Sequence, residues 1–282
     1  MITCNLMGGL GNQLFQIFTT IAYSLLTQNT FQFSNKKCLT PEGASKTVRF
    51  SYWDTFLSPL EGFTTNNMPE NMYVYKEPSF SYNPMPVWYR TKYNIMLDGY
   101  FQSYIYFEKC KQRLFNMINL EEQKEAIEAK YPFTEFEKTI SVHFRMGDYK
   151  KLPNFHPIMT IDYYITAIKE IMAKTKNEIT TIMYFYEEND DDKDTVADNI
   201  RVLQDLYPSI KFIRASAIME DWEQMLLMSC CKYNVIANST FSWWGAYFNT
   251  YPDKIVCYPS VWFGKSAPHN TNDLFPESWI KI

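Results

Sequence analysis

The sequence predicts an α/β fold in which helices cover both faces of parallel sheets. Strand-like apolar segments alternate with helix-like amphipathic segments along most of the chain, and the loops between them are short. The chain has 282 residues, which is long enough for two domains, and we place these at residues 1–133 and 134–282. Each domain is expected to be Rossmann-like, with a ligand crevice at the carboxyl ends of its strands.

The first half opens with a strand, a glycine-rich turn and a helix. Residues 1–6 are strand-like, GGLGNQ at residues 8–13 predicts the turn, and the apolar run over 14–26 predicts the helix. Residues 36–90 are interrupted by prolines and predict loops and short strands. A second strand is predicted over 94–100, followed by helices over 106–114 and 121–130.

In the second half, predicted strands and helices alternate to the end of the chain. Strands are predicted over residues 139–144, 181–186, 210–213, 233–237 and 254–258, the last of these being the final strand. Helices are predicted over residues 162–174, 194–206, 221–231 and 241–249. Polar residues that follow the strands should therefore meet at one edge of the sheet.

Charge and composition exclude several classes of protein. The net charge is −4 and there is no basic run, which argues against a nucleic-acid partner. The first basic residue is Lys36, so there is no signal-peptide n-region, and no 18-residue apolar span predicts an integral membrane segment. Six cysteines without CxxC spacing predict reduced thiols and a cytoplasmic protein, with peripheral association to a membrane left open.

The glycine-rich turn is the first candidate site. Gly9, Gly11, Asn12 and Gln13 lie where a backbone can approach a ligand, and the start of the following helix offers free N–H groups to an anion. The motif is neither GxGxxG nor a P-loop. A tight turn without a ligand is the alternative.

The segment HFRMGDY, residues 143–149, is the second candidate site because it ends a predicted strand. His143 and Arg145 are two residues apart and share one face of that strand, and Asp148 follows in the turn. An Arg suits a phosphate oxygen because its guanidinium is rigid and always charged. Alternatively, Arg145 and Asp148 pair with each other across the turn.

A polar run after a later strand is the third candidate site. It offers hydroxyls and backbone amides at a helix start, and its members are Asn238, Ser239, Thr240, Phe241 and Ser242. Helix capping by Ser239 or Thr240 is the alternative, although capping alone leaves the following Trp243 and Trp244 without an explanation.

The acidic run over residues 187–192 also follows a strand. Asp190 and Asp192 have a spacing that could hold Mn²⁺ or Mg²⁺, but a run this acidic favours a solvated loop. Glu187 or Glu188 could accept hydrogen bonds from guanine without a metal. The histidines lack ligand spacing, so no metal site is predicted, and the absence of GxSxG argues against a hydrolase.

Four segments together resemble the inverting α1,2-fucosyltransferase family. They cover both halves of the chain and read GGLGNQLFQ at 8–16, DGYFQS at 98–103, HFRMGDY at 143–149 and WEQMLLMSCCKYNVIANSTFSWWGAY at 222–247. Two positions depart from the family pattern. Met146 stands where the family usually carries a second Arg, and FYEE at 185–188 stands where FSDD or CED is usual.

The resemblance implies a GT-B fold of two facing Rossmann-like domains and a glycosyltransferase that uses GDP-fucose without a metal or other cofactor. It implies that residues 134–282 bind the donor and residues 1–133 form the acceptor side. Arg145 would contact the β-phosphate, His143 and Glu187 or Glu188 would lie near guanine, and residues 239–242 would lie near the diphosphate.

The implied reaction transfers L-fucose with inversion to a glycan acceptor, giving an α1,2 linkage to the 2-OH of a galactose-type sugar. Asp148 is the nearest carboxylate for a general base, with a capping role as the alternative. Two other functions stay open: a transferase for another GDP-linked sugar, and a non-catalytic carbohydrate-binding protein that uses the abundant aromatic residues.

Overall fold

The computed structural model describes residues 1–39, 48–187 and 190–282. The chain forms two compact units, one made of Met1–Glu122 with His269–Pro276 and the other of Gln123–Pro268 with Glu277–Ile282. The last residues of the chain are thus shared between the units. The acceptor and donor roles assigned to residues 1–133 and 134–282 stay predictions.

The first unit contains a small parallel sheet and several short peripheral strands. Its strands are β1 (Ile2–Cys4), β2 (Phe33–Ser34), β3 (Cys38–Leu39), β4 (Arg49–Phe50), β5 (Thr64–Thr65), β6 (Tyr73–Lys76) and β7 (Ile95–Asp98). Its helices are α1 (Leu10–Leu26) and α2 (Lys111–Met117), and α3 (Leu120–Glu128) carries the chain into the second unit. Short 3₁₀ helices span Ser58–Phe63, Tyr104–Tyr106 and Glu108–Cys110.

The sheet of the first unit has the strand order β1, β7, β6, and all of its pairings are parallel. Helix α1 packs beside it and is buried over most of its length. The helix can bury polar residues because their hydroxyls bond backbone carbonyls one turn earlier, as Thr20 does to Gln16 at 2.7 Å and Ser24 does to Thr20 at 2.7 Å.

The second unit alternates strands and helices as predicted. Its strands are β8 (Thr139–Phe144), β9 (Thr181–Tyr186), β10 (Lys211–Arg214), β11 (Tyr233–Val235), β12 (Ile255–Tyr258) and β13 (Ile280–Lys281). Its helices are α4 (Ile161–Lys174), α5 (Asp190–Leu206), α6 (Asp221–Cys230) and α7 (Thr240–Tyr247), with 3₁₀ helices at Phe136–Lys138 and Gly147–Lys151.

These strands form one parallel sheet in the order β10, β9, β8, β11, β12, β13. Every residue of β8 is buried, as expected for a central strand covered on both faces. From β8 the chain proceeds to β9 on one side, and it later returns to β11 on the other side. The sheet therefore has a topological switch point between β8 and β11, where α/β proteins bind ligands.

Some predicted elements need correction. The helix expected over 106–114 is replaced by two 3₁₀ turns and the shorter α2, and β12 is not the last strand because β13 follows it. The acidic run was expected to be a solvated loop, but α5 already begins at Asp190. Acidic residues are favoured in the first turn of a helix, which accounts for the earlier start.

Candidate functional site

The second unit brings its predicted site residues together at the switch point. The loop after β8 carries Arg145 and Asp148, and the loop after β11 carries Asn238 and Ser239. The hydroxyl of Tyr149 donates a hydrogen bond to the backbone oxygen of Asn238 at 3.1 Å and so joins the two loops. The two strand ends thus form neighbouring walls of one candidate site.

Arg145 is the centre of charge in this site. Its Nη1 donates to Glu187 Oε2 at 2.6 Å, its Nη2 donates to Asp148 Oδ1 at 2.5 Å, and its guanidinium lies 5.0 Å from the ring centre of Tyr149. Burial alone would lower the pKa of Arg145, but the neighbouring carboxylates outweigh it and the pKa is raised. The pairing with Asp148 that the sequence left open is therefore present.

The buried Asp192 of α5 holds the turn that follows Arg145 from the protein interior. This carboxylate is buried, accepts a hydrogen bond from the backbone N–H of Gly147 at 2.7 Å and pairs with Lys150 Nζ at 2.6 Å. The solvated role expected for the acidic run is thus wrong at Asp192. Gly147 itself adopts φ +44°, which is why a glycine suits this turn.

His143 is the penultimate residue of β8 and has a neutral, buried side chain. Burial, reinforced by the charge of Arg145, lowers the pKa of His143 from 6.5 to about 3. Its ring centre lies 5.6 Å from that of Phe241, and its Nδ1 has no hydrogen-bond partner among the described residues. A buried polar atom without a partner is costly, so a hydrogen bond to Nδ1 would be favourable.

In the polar run at the start of α7, some side chains form hydrogen bonds within the protein and others are partly exposed to solvent. Ser239 caps the helix, accepting from Phe241 N at 3.3 Å, and the buried Ser242 hydroxyl donates to the backbone oxygens of Ala237 and Ser239. Asn238 Nδ2 donates to two backbone oxygens, those of Pro157 and Trp262. The capping alternative is therefore present at Ser239. Thr240 and Phe241 stay half-exposed.

Trp243 and Trp244 belong to the core. Both are fully buried, with Trp243 stacked on Tyr247 at 4.7 Å and Trp244 5.0 Å from Phe248. Core packing therefore explains the two tryptophans that capping left unexplained. Glu188, a further predicted residue of the second unit, lies outside the described residues.

The glycine-rich turn of the first unit is supported from inside. Gln13 is fully buried and its Nε2 donates to the backbone oxygens of Gly8 and Phe50 at 3.0 and 2.9 Å, so its side chain holds the turn. Gly9 precedes α1 without a side-chain cap, and a Cβ placed there would lie 4.0 Å from Arg49 Nη1. This turn thus has a nearby cation that sequence reasoning missed.

Gly11 and Asn12 are the other predicted residues of this turn. Gly11 lies in the first turn of α1. Asn12 Oδ1 accepts a hydrogen bond from Gln102 Nε2 at 3.0 Å. Gln102 belongs to the DGYFQS segment, which begins at the last residue of β7. The glycine turn and the DGYFQS segment are therefore joined at the carboxyl edge of the first unit's sheet.

Glu77 occupies the same edge and was not predicted. Its Oε2 accepts from the backbone N–H groups of Tyr100 and Phe101 at 2.8 and 3.0 Å, and Oε1 is buried without a partner among the described residues. Burial raises the pKa of Glu77 from 4.5 to about 6. Phe101 has φ +51° and Gly99 has no room for a side chain, since a Cβ there would lie 2.3 Å from Glu77 Cβ.

Among the residues that the structure describes, no group of three or more His, Cys, Asp or Glu side chains is arranged to hold a metal ion. No helix in the described ranges is both long and apolar enough to cross a bilayer. Independence from metals stays a prediction.

The whole chain matches one family model, described as glycosyl transferase family 11, over residues 1–282. This chain belongs to glycosyl transferase family 11. The resemblance drawn from the sequence motifs is confirmed, and so is the prediction of an enzyme of the fucosyltransferase kind. Membership of this family favours a glycosyltransferase over the alternative of a non-catalytic carbohydrate-binding protein.

Two curated relatives extend over the full length of this family 11 chain. It is 30% identical over 319 residues to the O-antigen biosynthesis glycosyltransferase WbnK of Escherichia coli, with 100% of both chains covered. It is 26% identical over 299 residues to the alpha-1,2-colitosyltransferase of Escherichia coli, covering 100% of this chain and 99% of the relative.

A solved structure supports the fold of the family 11 chain. The crystal structure of POFUT1 in complex with GDP matches with a TM-score of 0.50 at 13% identity, covering 91% of this chain and 97% of that chain. Together with the parallel sheets, this likeness confirms the predicted α/β fold class of the GT-B type.

Proposed function

We propose that this protein transfers L-fucose from GDP-β-L-fucose to a hydroxyl of a glycan acceptor with inversion, giving an α1,2 linkage. The observation that carries the proposal is Arg145, fixed at the switch point of a family 11 enzyme between two carboxylates. The colitosyltransferase relative is named as an alpha-1,2 transferase, which supports the linkage proposed here.

Arg145 stabilises the leaving diphosphate in this proposal. A guanidinium has five N–H donors, and the bonds to Glu187 and Asp148 leave donors for a phosphate oxygen. Negative charge grows on the diphosphate as the sugar becomes oxocarbenium-like, so a fixed cation is worth more in the transition state than in the bound donor. Among the half-exposed groups at the start of α7, Thr240 and Phe241 lie on the donor side.

The other predicted residues have supporting roles. The neutral His143 offers Nδ1 to the guanine base, and Glu187 lies near the base as well as on Arg145. Asp148 holds Arg145 through Nη2, which favours an orienting role over that of the general base. No metal or other cofactor takes part.

Colitose is the second candidate for the transferred sugar. It is supported by the colitosyltransferase relative, which is 26% identical over essentially its whole length. Colitose is L-fucose without the 3-hydroxyl. A donor site that hydrogen-bonds this hydroxyl discriminates strongly against the sugar that lacks it, whereas a site that leaves it in solvent does not.

Two successive experiments test the proposal, the first on nucleotide binding and the second on sugar transfer. Thermal unfolding is followed with GDP, UDP and CMP, each with and without EDTA, since a ligand at 100 Kd adds about 2.7 kcal/mol of stability. We expect stabilisation by GDP alone, unaffected by EDTA. Stabilisation by UDP or CMP instead contradicts the donor assignment. Loss of the stabilisation by GDP in EDTA contradicts the metal independence of the site.

Transfer is then measured with GDP-fucose and GDP-colitose as competing donors and lactose as the acceptor, with the linkage read by NMR. A higher kcat/KM for GDP-fucose supports the proposal, and a higher value for GDP-colitose supports the second candidate. Arg145→Lys should abolish most of the transfer, while Arg201→Lys, an exposed Arg of α5 paired with Asp198, is the matched control.

A further inference from the structure

We propose that an aromatic face of β6 and the cavity at its start bind a sugar unit of the acceptor glycan that lies away from the reacting hydroxyl. The proposal rests on the proposed function for the identity of the acceptor. Binding of the glycan is measurable without catalysis, so the two can fail separately.

Three aromatic rings form this face. Tyr73 and Tyr75 are two residues apart on β6 and therefore share one face of the strand. Both rings meet Trp88 edge to face, at 5.3 Å from Tyr73 and 5.9 Å from Tyr75. Tyr75 and Trp88 are half-buried, so the exposed ring of Tyr73 offers the apolar surface for sugar C–H groups, with its polar hydroxyl at the edge.

The segment that carries Trp88 is held firmly in place. Its backbone N–H donates to the Tyr23 hydroxyl at 3.2 Å, and its backbone oxygen accepts from Asn29 Nδ2 at 2.7 Å. The Tyr23 hydroxyl in turn donates to the backbone oxygen of Pro86. The aromatic face is therefore set before a ligand arrives, which reduces the entropy cost of binding.

A cavity of about 300 Å³ opens at the start of β6. This volume is at the lower end of the range of roughly 300–1,000 Å³ that is typical of small-molecule sites. Its lining combines two tyrosines and a methionine with two amides and one carboxylate, namely Glu70, Asn71, Met72, Tyr73, Tyr93 and Asn94.

The chemistry of this cavity fits a sugar better than an apolar ligand. Tyr73 is 59% exposed and Tyr93 is 63% exposed, so neither ring contributes mainly to the core. Carboxylates and amides are suited to hydrogen bonds with sugar hydroxyls, and exposed tyrosine rings supply contact area at a low entropy cost.

The cavity is at the opposite end of the sheet from the glycine turn. Tyr73 begins β6 and Asn94 directly precedes β7, whereas the glycine turn follows the carboxyl end of β1. Strands of four residues span about 10 Å between their first and last residues. Within the described residues β6 pairs only with β7, so its free edge runs from the cavity towards the carboxyl ends. An oligosaccharide can follow this edge, and a single sugar cannot reach both ends.

Site-specific NMR tests the binding directly. The protein is labelled with 5-fluorotryptophan, and the Trp88 resonance is assigned with Trp88→Phe. We expect lacto-N-tetraose at millimolar concentrations to shift this resonance. Tyr73→Ala or Tyr93→Ala should raise the Kd for lacto-N-tetraose about three- to tenfold. Tyr93→Phe should bind like the wild type because it keeps the ring.

Phe133→Ala is the matched control, since Phe133 is 95% exposed and belongs to the second unit. It should leave the Kd unchanged. A Trp88 resonance that does not move with the tetrasaccharide, or a Kd that Tyr73→Ala and Tyr93→Ala leave unchanged, overturns the proposal.

Kinetics separate this proposal from the proposed function. Tyr93→Ala should raise KM for lacto-N-tetraose and leave KM for lactose and kcat unchanged, because the distal sugar contributes only to binding. A wild-type enzyme that transfers to neither glycan contradicts the proposed function, while the NMR result still decides the binding site. If sedimentation shows a dimer that Tyr73→Ala dissociates, a second copy occupies this face and the glycan site is wrong.

Discussion

The carboxylate of Asp192 accepts a hydrogen bond from the backbone N–H of Gly147 at 2.7 Å. Through this bond, a buried residue of α5 fixes the turn that follows Arg145. The same carboxylate pairs with Lys150 at the far side of the turn. The position of the guanidinium is therefore determined from inside the second unit as well as by its surface partners.

Asp192→Asn should destabilise the protein by about 1–3 kcal/mol, because the amide cannot replace a buried carboxylate that serves both an N–H and an ammonium. It should also lower kcat, since a displaced Arg145 stabilises the diphosphate less well. Urea unfolding and transfer rates measure the two effects. Asp194→Asn, at an exposed position of the same helix, should change neither. Equal behaviour of both variants would show that Asp192 does not anchor the turn.

Arg145→Lys should lower kcat about 10²–10³-fold, because a lysine offers one compact ammonium in place of a rigid fork of donors. The affinity for GDP should fall less than kcat, since the contact strengthens as the leaving group gains charge. Steady-state kinetics and GDP titration measure the two quantities. Unchanged turnover in this variant contradicts the assigned role.

Asp148→Asn should reduce kcat less than about tenfold and leave the pH profile of kcat unchanged. The side chain is 55% exposed and holds Arg145 Nη2, and an asparagine carbonyl can still accept that hydrogen bond. The pH dependence of the transfer rate is the decisive measurement. A loss of about 10²–10⁴-fold together with loss of the acidic limb would identify Asp148 as the general base.

Glu77→Gln should change how stability depends on pH. Folding raises the pKa of Glu77 from 4.5 to about 6, so its protonated form is favoured in the fold and its contribution is complete below pH 4.5. This contribution is lost as the pH rises through 6, a change of about 2 kcal/mol. The glutamine side chain does not titrate, and its carbonyl oxygen can still accept from Tyr100 and Phe101.

Unfolding free energies of both proteins between about pH 4.5 and 7.5 test this prediction. Relative to the glutamine variant, the wild type should become less stable by about 2 kcal/mol across this interval. A constant difference over the same range means that Glu77 is not perturbed in the fold.

The sequence was most informative for the largely buried central strands of the second unit. The bounds of β8 and β9 agree with the predicted 139–144 and 181–186, because both strands are continuous β-prone runs. Strand β6 is one of the short strands predicted within residues 36–90, but its bounds were not predicted because its side chains are largely exposed and show no apolar alternation. Strand β13 has only two residues and follows a long irregular segment, so no hydrophobic periodicity predicted it.

The site was predictable as a set of loops but not as a set of contacts. Strand ends in a parallel sheet meet at one edge, which placed Arg145 and Asn238 together in advance. Which side chains turn inward depends on packing, and the roles of Gln13 and Ser242 in holding backbone could not be read from residue type. The contact between Asp192 and Gly147 could be predicted only with the correct start of α5. The acidic run was interpreted as a loop, so that start was not predicted.

The contact between Gly99 and Glu77 also constrains how related sequences can diverge. Since a Cβ at position 99 would lie 2.3 Å from Glu77 Cβ, the collision involves atoms that no rotamer change can move apart. A side chain can appear at position 99 only if the backbone shifts or position 77 becomes glycine. Where the backbone is kept, the two positions should therefore covary, with a replacement of Gly99 accompanied by glycine at position 77.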